Sequence, residues 1–97
     1  SPRSYVSRYA VIGSGSIIMH DVVVNANTVI GDNCIINSKA LIEHDSIIHS
    51  HCHISTSVTI NGNVIVGEGS FIGSGAVTNN SIVIKKNSFF KAGALIK

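Results

Sequence analysis

The amino-acid sequence predicts an all-β solenoid built from short strands, with no long helix. This prediction depends on a six-residue period, an abundance of β-branched residues and an even scatter of turn-forming residues. Ile and Val favour strands, whereas strong helix formers such as Leu and Glu are scarce. Because Gly, Ser and Asn recur between the apolar residues, we expect many tight corners.

The six-residue period begins at Val6 and continues to the end of the chain without an insertion. The first position of each block is Val, Ile or Phe, except in the block that begins with Thr78. The fifth position is mostly small, as in Ala10, Ser16, Cys34, Ala40, Ser46, Cys52, Ser70 and Ala76. A short period sustained over a whole chain is typical of a repeat architecture.

Three blocks would close one triangular coil of 18 residues, so that about five coils fit in the chain. The first-position side chains would then point inward, and the small fifth-position side chains would face inward near a corner. Residues 18 apart would lie on adjacent coils, about 4.8 Å apart. The second-position glycines are predicted to provide unusual backbone angles at corners; they are Gly13, Gly31, Gly67 and Gly73.

Charge and composition exclude several classes of protein. Only 12% of the residues are charged and the net charge is +2, which does not predict nucleic-acid binding. No apolar run approaches the roughly 18 residues that a membrane span requires. Cys34 and Cys52 are too few for a disulfide scaffold, which makes a reducing cytoplasm the expected location. They should stack as buried thiols, because in-register parallel neighbours suit a disulfide poorly.

The histidines are concentrated in one short segment, His44, His49, His51 and His53. The 18-residue period places His44 between Ala26 and Gly62, where small neighbours leave room for a substrate. The adjacent Asp45 could select the imidazole tautomer, and Gly62 could present a bare N–H. A base and an N–H donor are the groups that acyl transfer needs. The same residues are equally compatible with a solvated pair at a corner.

The repeat pattern resembles that of the hexapeptide-repeat proteins, which form left-handed parallel β-helices. Within that group, the chain resembles the NeuD/PglD-type sugar O- or N-acetyltransferases. The matching stretches are Val24-Asn25-Ala26, Ile30-Gly31, Ile36-Asn37, Ile42-Glu43-His44-Asp45, His53-Ile54-Ser55, Gly62-Asn63-Val64 and Phe71-Ile72-Gly73. The resemblance implies an acetyl-CoA-dependent homotrimer that acetylates a sugar or nucleotide-sugar between its subunits. The resemblance implies that no metal is required, that no nucleic acid is bound and that no segment inserts into a membrane.

The resemblance also implies a role for each matching residue. His44 would be the general base and Asp45 its acidic partner. The N–H of Gly62 would polarise the thioester carbonyl, and His53 and Asn37 would line the cleft near the acetyl group. Further residues would contact acetyl-CoA along the groove, namely Gly73, Ser74 and Ala76, with Lys85, Lys86 and Lys91 as candidates for its phosphates.

The domain organisation suggested by the resemblance is that of a fragment. Residues 1–5 resemble the linker from an N-terminal domain, which in the family binds the sugar or nucleotide-sugar. Residues 6–97 would be the acyltransferase β-helix, lacking its last coil.

Two other functions remain open at this stage. The γ-class carbonic anhydrases carry a His-x4-His spacing in the same block positions, and His44 and His49 match it. Catalytic zinc needs three protein ligands, and a third is not apparent. His49, His51 and His53 could instead bind metal adventitiously. The remaining alternative is a non-catalytic trimerisation scaffold.

Overall fold

The computed structural model describes residues 3–97 as a three-sided solenoid of two-residue strands. Sheet A contains β1 (Tyr5–Val6), β4 (Val23–Val24), β7 (Leu41–Ile42), β10 (Thr59–Ile60), β13 (Val77–Thr78) and β16 (Leu95–Ile96). Sheet B contains β2 (Val11–Ile12), β5 (Val29–Ile30), β8 (Ile47–Ile48), β11 (Ile65–Val66) and β14 (Val83–Ile84). Sheet C contains β3 (Ile17–Ile18), β6 (Ile35–Ile36), β9 (His53–Ile54), β12 (Phe71–Ile72) and β15 (Phe89–Phe90).

All the strand pairs are parallel and in an 18-residue register, as in Leu41 with Thr59 and Ile47 with Ile65. The chain visits sheets A, B and C in turn, so about five coils stack on one another. This confirms the predicted solenoid. β1 begins at Tyr5, one residue before the predicted boundary of the repeats. Within residues 3–97, no helix is long and apolar enough to cross a membrane.

The turns between strands form three corners, which we name by the sheets they join. The first corner leads from sheet A to sheet B and contains residues 7–10, 25–28, 43–46, 61–64 and 79–82. The second corner leads from sheet B to sheet C and contains residues 13–16, 31–34, 49–52, 67–70 and 85–88. The third corner leads from sheet C to sheet A and contains residues 19–22, 37–40, 55–58, 73–76 and 91–94.

The core is a stack of first-position side chains, as the period predicts. Those of the central coils are at most 1% exposed; they are Val24, Ile30, Ile36, Ile42, Ile48, Ile54, Ile60, Val66, Ile72 and Thr78. The sixth-position side chains point outward and form the three faces of the prism, so Val11 and Phe89 are 60% and 72% exposed. Burial of the inner column against neighbouring coils is the main source of stability in such a stack.

The unusual backbone angles lie at the fourth position of each turn, and the prediction for the second-position glycines is wrong. Every fourth-position residue from Gly15 to Gly93 has a positive φ, including Asp45 (61°) and His51 (63°). Glycine is required at the second position because a side chain would not fit there. A Cβ at Gly31 would lie 2.6 Å from the Ser50 nitrogen of the coil above. These glycines therefore permit close stacking of coils.

The fifth position is selected for hydrogen bonding as well as for size. Ser46 donates from its hydroxyl to the Asn61 carbonyl in the next coil (2.9 Å), and the same hydroxyl accepts from the Val64 N–H (3.1 Å). The hydroxyls of Ser16 and Ser70 make the same pair of bonds, and the thiols of Cys34 and Cys52 make the same contact with a carbonyl of the next coil. Where the fifth position is polar, at the second corner and in part of the first, this side chain therefore ties one turn to the turn above it.

Candidate active site

His44 and Gly62 lie in successive turns of the first corner, one coil apart. The Asn63 N–H donates to the His44 carbonyl at 3.0 Å, which joins the two turns directly. A Cβ added to Gly62 would lie 3.0 Å from both Cε1 and Nε2 of His44. The imidazole therefore leans toward the coil above and packs against the Cα of Gly62. Any side chain at position 62 would compete with the imidazole for this space.

Asp45 holds the other side of the imidazole. Its Oδ2 lies 3.0 Å from Nδ1 of His44. The left-handed conformation of Asp45 belongs to the fourth position of the turn, a conformation that Asp tolerates better than most residues. When the carboxylate is ionised it can only accept, so Nδ1 donates and Nε2 keeps its lone pair. Both side chains are exposed, which leaves Nε2 accessible to an incoming molecule.

The N–H of Gly62 donates no hydrogen bond to another group in the described part of the chain. Gly62 itself is buried, and its carbonyl accepts from the Ser81 N–H at 2.9 Å. An N–H without an internal acceptor, beside a base, can donate to a ligand oxygen at low cost. The first corner thus combines an oriented imidazole with an uncommitted donor.

The turn that carries Gly62 is held from below and above. Ser46 binds both ends of this turn from the coil below, as described above. From the coil above, the Thr78 hydroxyl accepts from the Asn61 N–H (3.0 Å), and the Asn61 side-chain amide donates to the Thr78 carbonyl (2.7 Å). Thr78 is 1% exposed, so these bonds satisfy a hydroxyl placed in the apolar column.

Sequence reasoning did not assign Thr78 to the site. The available signal was that it alone interrupts the apolar first position of the blocks. The structure shows that Thr78, which interrupts the pattern, bonds to Asn61 in the turn that carries Gly62.

The remaining predicted site residues lie away from His44, on sheet C or at the third corner. His53 points outward from sheet C, which is the face opposite the first corner. Asn37, Gly73 and Ser74 lie in the third corner, immediately after strands of sheet C. Within one copy, the predicted residues therefore form two separate surfaces. Ala76 differs from them because it is 0% exposed, so its side chain belongs to the core and lines no groove.

His49 and His51 lie at the second corner, away from the His44–Asp45 pair. Nε2 of His51 is 3.9 Å from Oε2 of Glu68, and both side chains are exposed. In residues 3–97 no group of three His, Cys, Asp or Glu side chains could hold a metal ion. The spacing shared with the carbonic anhydrases therefore places His44 and His49 at two different corners.

An aromatic column runs along the outside of sheet C toward the C-terminal coils. The ring centroids of His53 and Phe71 are 5.1 Å apart, and Phe71 stacks on Phe89 at 5.1 Å with an interplanar angle of 11°. Exposed lysines flank the last ring at both edges of the sheet, with Lys85 and Lys86 at the second corner and Lys91 at the third. This surface is apolar along its middle and cationic at its end.

Comparison with known proteins agrees with the architecture. The family model described as bacterial transferase hexapeptide (six repeats) matches residues 9–44. Together with the 18-residue coils, this match defines the chain as a hexapeptide-repeat β-solenoid. No curated protein matches the sequence.

Among hexapeptide-repeat structures, the chain is similar to sugar acetyltransferases. It is 36% identical, with a TM-score of 0.98, to the acetyltransferase domain of PglB from Neisseria gonorrhoeae, covering 99% of this chain and 47% of that one. The same domain in complex with acetyl coenzyme A matches at 34% identity and a TM-score of 0.94, covering 98% of this chain and 48% of that one.

A third structure is a variant of perosamine N-acetyltransferase from Caulobacter crescentus in complex with CoA and GDP-perosamine. It is 32% identical with a TM-score of 0.98, covering 99% of this chain and 46% of that one. The chain thus spans about half the length of the structures it matches.

Proposed function

We propose that this chain is an acetyl-CoA-dependent acetyltransferase that acetylates an amino or hydroxyl group of a sugar or nucleotide-sugar. The observation that carries the proposal is the imidazole of His44, held at Nδ1 by Asp45 and packed on Gly62 with Nε2 accessible. The similar structures support the choice of substrates, since their names include acetyl coenzyme A and GDP-perosamine.

In the proposed reaction, Nε2 of His44 removes the proton from the acceptor amine or hydroxyl as this group attacks the thioester carbonyl. The attack places a negative charge on the carbonyl oxygen, and the free N–H of Gly62 is the donor proposed to stabilise it. When the C–S bond breaks, the CoA thiolate leaves and takes the proton from the imidazolium. Asp45 keeps the ring in the required tautomer and stabilises its charged form.

We further propose that the working site is shared between two copies of the chain in a homotrimer. His53, Asn37, Gly73 and Ser74 cannot approach His44 within one copy, because they lie away from it, on sheet C or at the third corner. A neighbouring copy could bring its sheet C and third corner against the first corner. Acetyl-CoA would then lie between them, with the pantetheine arm along the aromatic column and its phosphates near Lys85, Lys86 and Lys91.

The main test measures thiol release from acetyl-CoA in the presence of amino- and hydroxy-nucleotide-sugars. His44→Ala should lower kcat by about three orders of magnitude or more, as expected for loss of a positioned base. His51→Ala, at the second corner, serves as the matched control and should leave kcat unchanged. A trimeric wild-type protein that binds acetyl-CoA but acetylates no sugar acceptor would contradict the proposal and favour a scaffold role.

The shared site has a separate test. The variants His44→Ala and His53→Ala are each expected to be impaired, whereas mixed trimers assembled from both would contain some intact sites. Part of the wild-type activity should therefore return after the two are denatured together and refolded. If no activity returns although mixed trimers form, the two residues do not act in one intersubunit site.

A further inference from the structure

Hydrogen bonding between coils departs from its regular pattern in the turn that carries Gly62. Within residues 3–97, every other second-position N–H with a coil above it donates to a first-position carbonyl of that coil, at 2.7 to 3.0 Å. The Asn61 N–H instead donates to the hydroxyl of Thr78 at 3.0 Å. β10 and β13 accordingly pair only at Thr59 with Val77, whereas β7 with β10 and β13 with β16 match at both residues. The exception is therefore specific to this turn.

Thr78 replaces the missing ladder bond with two others. Because its hydroxyl accepts from the Asn61 N–H, its carbonyl is left for the Asn61 side chain, whose Nδ2 donates to it at 2.7 Å. The side-chain amide of Asn61 is thus turned toward the coil above. In the described part of the chain, its oxygen accepts no hydrogen bond from the N–H of Gly62. A valine or isoleucine at position 78, as in the rest of this column, would offer no hydroxyl for this exchange.

An asparagine at the second position is able to cap the N–H that follows it. Asn37 occupies the second position of a third-corner turn, and its own N–H keeps the ladder bond to Ile54 at 2.8 Å. Its side chain folds back, so that Oδ1 accepts from the Ser38 N–H at 2.8 Å. Asn61 and Gly62 hold the same two positions in the first corner. The same fold-back at Asn61 would occupy the N–H of Gly62.

Two further asparagines show that the partner of the side chain decides whether the cap forms. Asn25 keeps its ladder bond, but its Nδ2 donates to Oε1 of Glu43 at 2.7 Å, and within residues 3–97 the Ala26 N–H has no acceptor. Asn79 is exposed, has no turn above it and forms no cap in the described chain. A partly buried asparagine therefore caps the next N–H when no neighbouring coil engages its amide.

We infer that Thr78 is a positioning residue that keeps the N–H of Gly62 available by holding the side chain of Asn61 away from it. The inference rests on the proposed acetyltransferase function, in which this N–H stabilises the negative charge on the thioester oxygen. A donor already bonded to an amide oxygen would have to exchange partners before it could act. Thr78 is 1% exposed, so it acts through Asn61 rather than by touching a substrate.

Thr78→Val tests the inference, because it exchanges the hydroxyl for a methyl group of similar size and suits the apolar column. The Asn61 N–H should then take the ladder carbonyl of residue 78, and the released side chain should cap Gly62. We expect kcat to fall about ten- to a hundredfold, since loss of one such donor lowers kcat by about a hundred- to a thousandfold. The KM values for acetyl-CoA and for the acceptor should stay unchanged.

Two control variants accompany Thr78→Val. Thr78→Ser keeps the hydroxyl and should have a kcat close to that of the wild type. Thr59→Val makes the same substitution on the outward face of β10 and should also match the wild type. A Thr78→Val protein with wild-type kcat would overturn the inference.

A double variant separates positioning from a general loosening of the turn. When Asn61→Ala is added to Thr78→Val, no side chain remains to cap Gly62, so kcat should return to within about fivefold of the wild type. A purely structural role for Thr78 predicts the opposite, because the second change would add to the damage of the first. The inference is wrong if the double variant is no more active than Thr78→Val.

The amide proton of Gly62, followed by NMR in protein with isotope-labelled glycine, distinguishes this inference from the proposed function. In the wild type, the temperature dependence of its chemical shift should be that of an amide without an internal acceptor. In Thr78→Val it should become that of a hydrogen-bonded amide. An unchanged Gly62 signal would overturn the inference even if the protein acetylates sugars. The expected change at Gly62, in a protein whose wild type transfers no acetyl group, would contradict the proposed function alone.

Discussion

The first and second corners are built from the same turn, yet they present different chemistry to solvent. In both, the fourth residue adopts a left-handed conformation, and the fifth ties the turn to the coil above. At the second corner, two third-position N–H groups are capped by side chains of the next coil: Ser14 donates to Oδ1 of Asp32 (2.8 Å), and Asp32 donates to Oγ of Ser50 (2.9 Å).

At the first corner, within residues 3–97, the third-position N–H groups of residues 8, 26, 44 and 62 are not capped in this way. Ala26 and Gly62 cannot accept a hydrogen bond, and His44 is directed toward Asp45 and Gly62 instead. Gly62 leaves space for the imidazole of His44. Asn80, the third-position residue of the next coil, does not accept from the Gly62 N–H, so an imidazole and an N–H are both available at this corner.

The largest effect is expected from filling the space that the first corner leaves empty. In Gly62→Val, the branched side chain would meet Cε1 and Nε2 of His44, where even a Cβ is only 3.0 Å away. Displacing the base should lower kcat about a hundredfold, because small misplacements in catalytic groups have effects of this size. Glu68→Val makes the third-position change at the second corner and should leave kcat within about twofold. Equal loss in both variants, by steady-state kinetics, would show that the corners are not functionally distinct.

A smaller effect is expected from Asp45→Asn, which keeps the size and the tolerance for positive φ but removes the charge. An amide can present either N–H or oxygen to Nδ1, so the productive imidazole tautomer is no longer enforced. We expect kcat to fall about ten- to a hundredfold while the melting temperature changes little.

The matched variant for Asp45→Asn is His51→Asn, at the fourth position of the second corner with φ 63°. It should keep full activity. An Asp45→Asn enzyme with wild-type kcat would show that the carboxylate does not act on His44.

Much of this arrangement could be predicted from the sequence, because the 18-residue period alone places His44 beneath Gly62. The direction in which a side chain leans could not be predicted in this way. Asp32 leans down to cap Ser14, whereas His44 leans up onto Gly62, and the difference depends on which neighbouring groups need a partner. The hydrogen bonds that a side chain forms determine this direction. The 18-residue period gives the neighbours of a residue but not the bonds between them.

The same limit explains the other departures from expectation. The second-position glycines were assigned to open backbone angles, whereas the fourth position has them, since periodicity marks turn residues without giving their φ. The resemblance implies that His53 lines the cleft near the acetyl group. Within one copy His53 lies on the face opposite His44, so it would join His44 only in the proposed intersubunit site. Thr78 looked like a simple interruption of the pattern, because its partner Asn61 is 17 residues away.

A third prediction separates stability from catalysis at the two corners. Ser46→Ala removes the hydroxyl that binds Asn61 and Val64 on either side of Gly62, and leaves both groups unpaired. The free energy of unfolding should fall by about 1–3 kcal/mol, and kcat should fall a few-fold as the Gly62 turn loosens.

Ser70→Ala is the equivalent change at the second corner, where the hydroxyl binds Lys85 and Ser88. It should lower stability in denaturant titrations by a similar amount without changing kcat. A loss of kcat in Ser70→Ala as large as that in Ser46→Ala would mean that general loosening, rather than the Gly62 turn, limits the reaction.

The smallest effect is expected from exchanging the two thiols of the second corner for hydroxyls. Cys34 and Cys52 are unoxidised and at most 2% exposed, and their sulfurs lie 3.1 and 3.2 Å from the carbonyls of His49 and Gly67. The hydrogen bond with Cys34, together with burial, raises the pKa of the Cys52 thiol, so it stays protonated and unreactive. Cys34 and Cys52 thus occupy the fifth position that serine has elsewhere in this column, each with its sulfur beside a backbone carbonyl of the next coil. Cys34→Ser and Cys52→Ser should each change the free energy of unfolding by less than about 1 kcal/mol and leave turnover unchanged. A loss of several kcal/mol in urea titrations would show that the sulfur atoms stabilise the core through packing that a hydroxyl cannot replace.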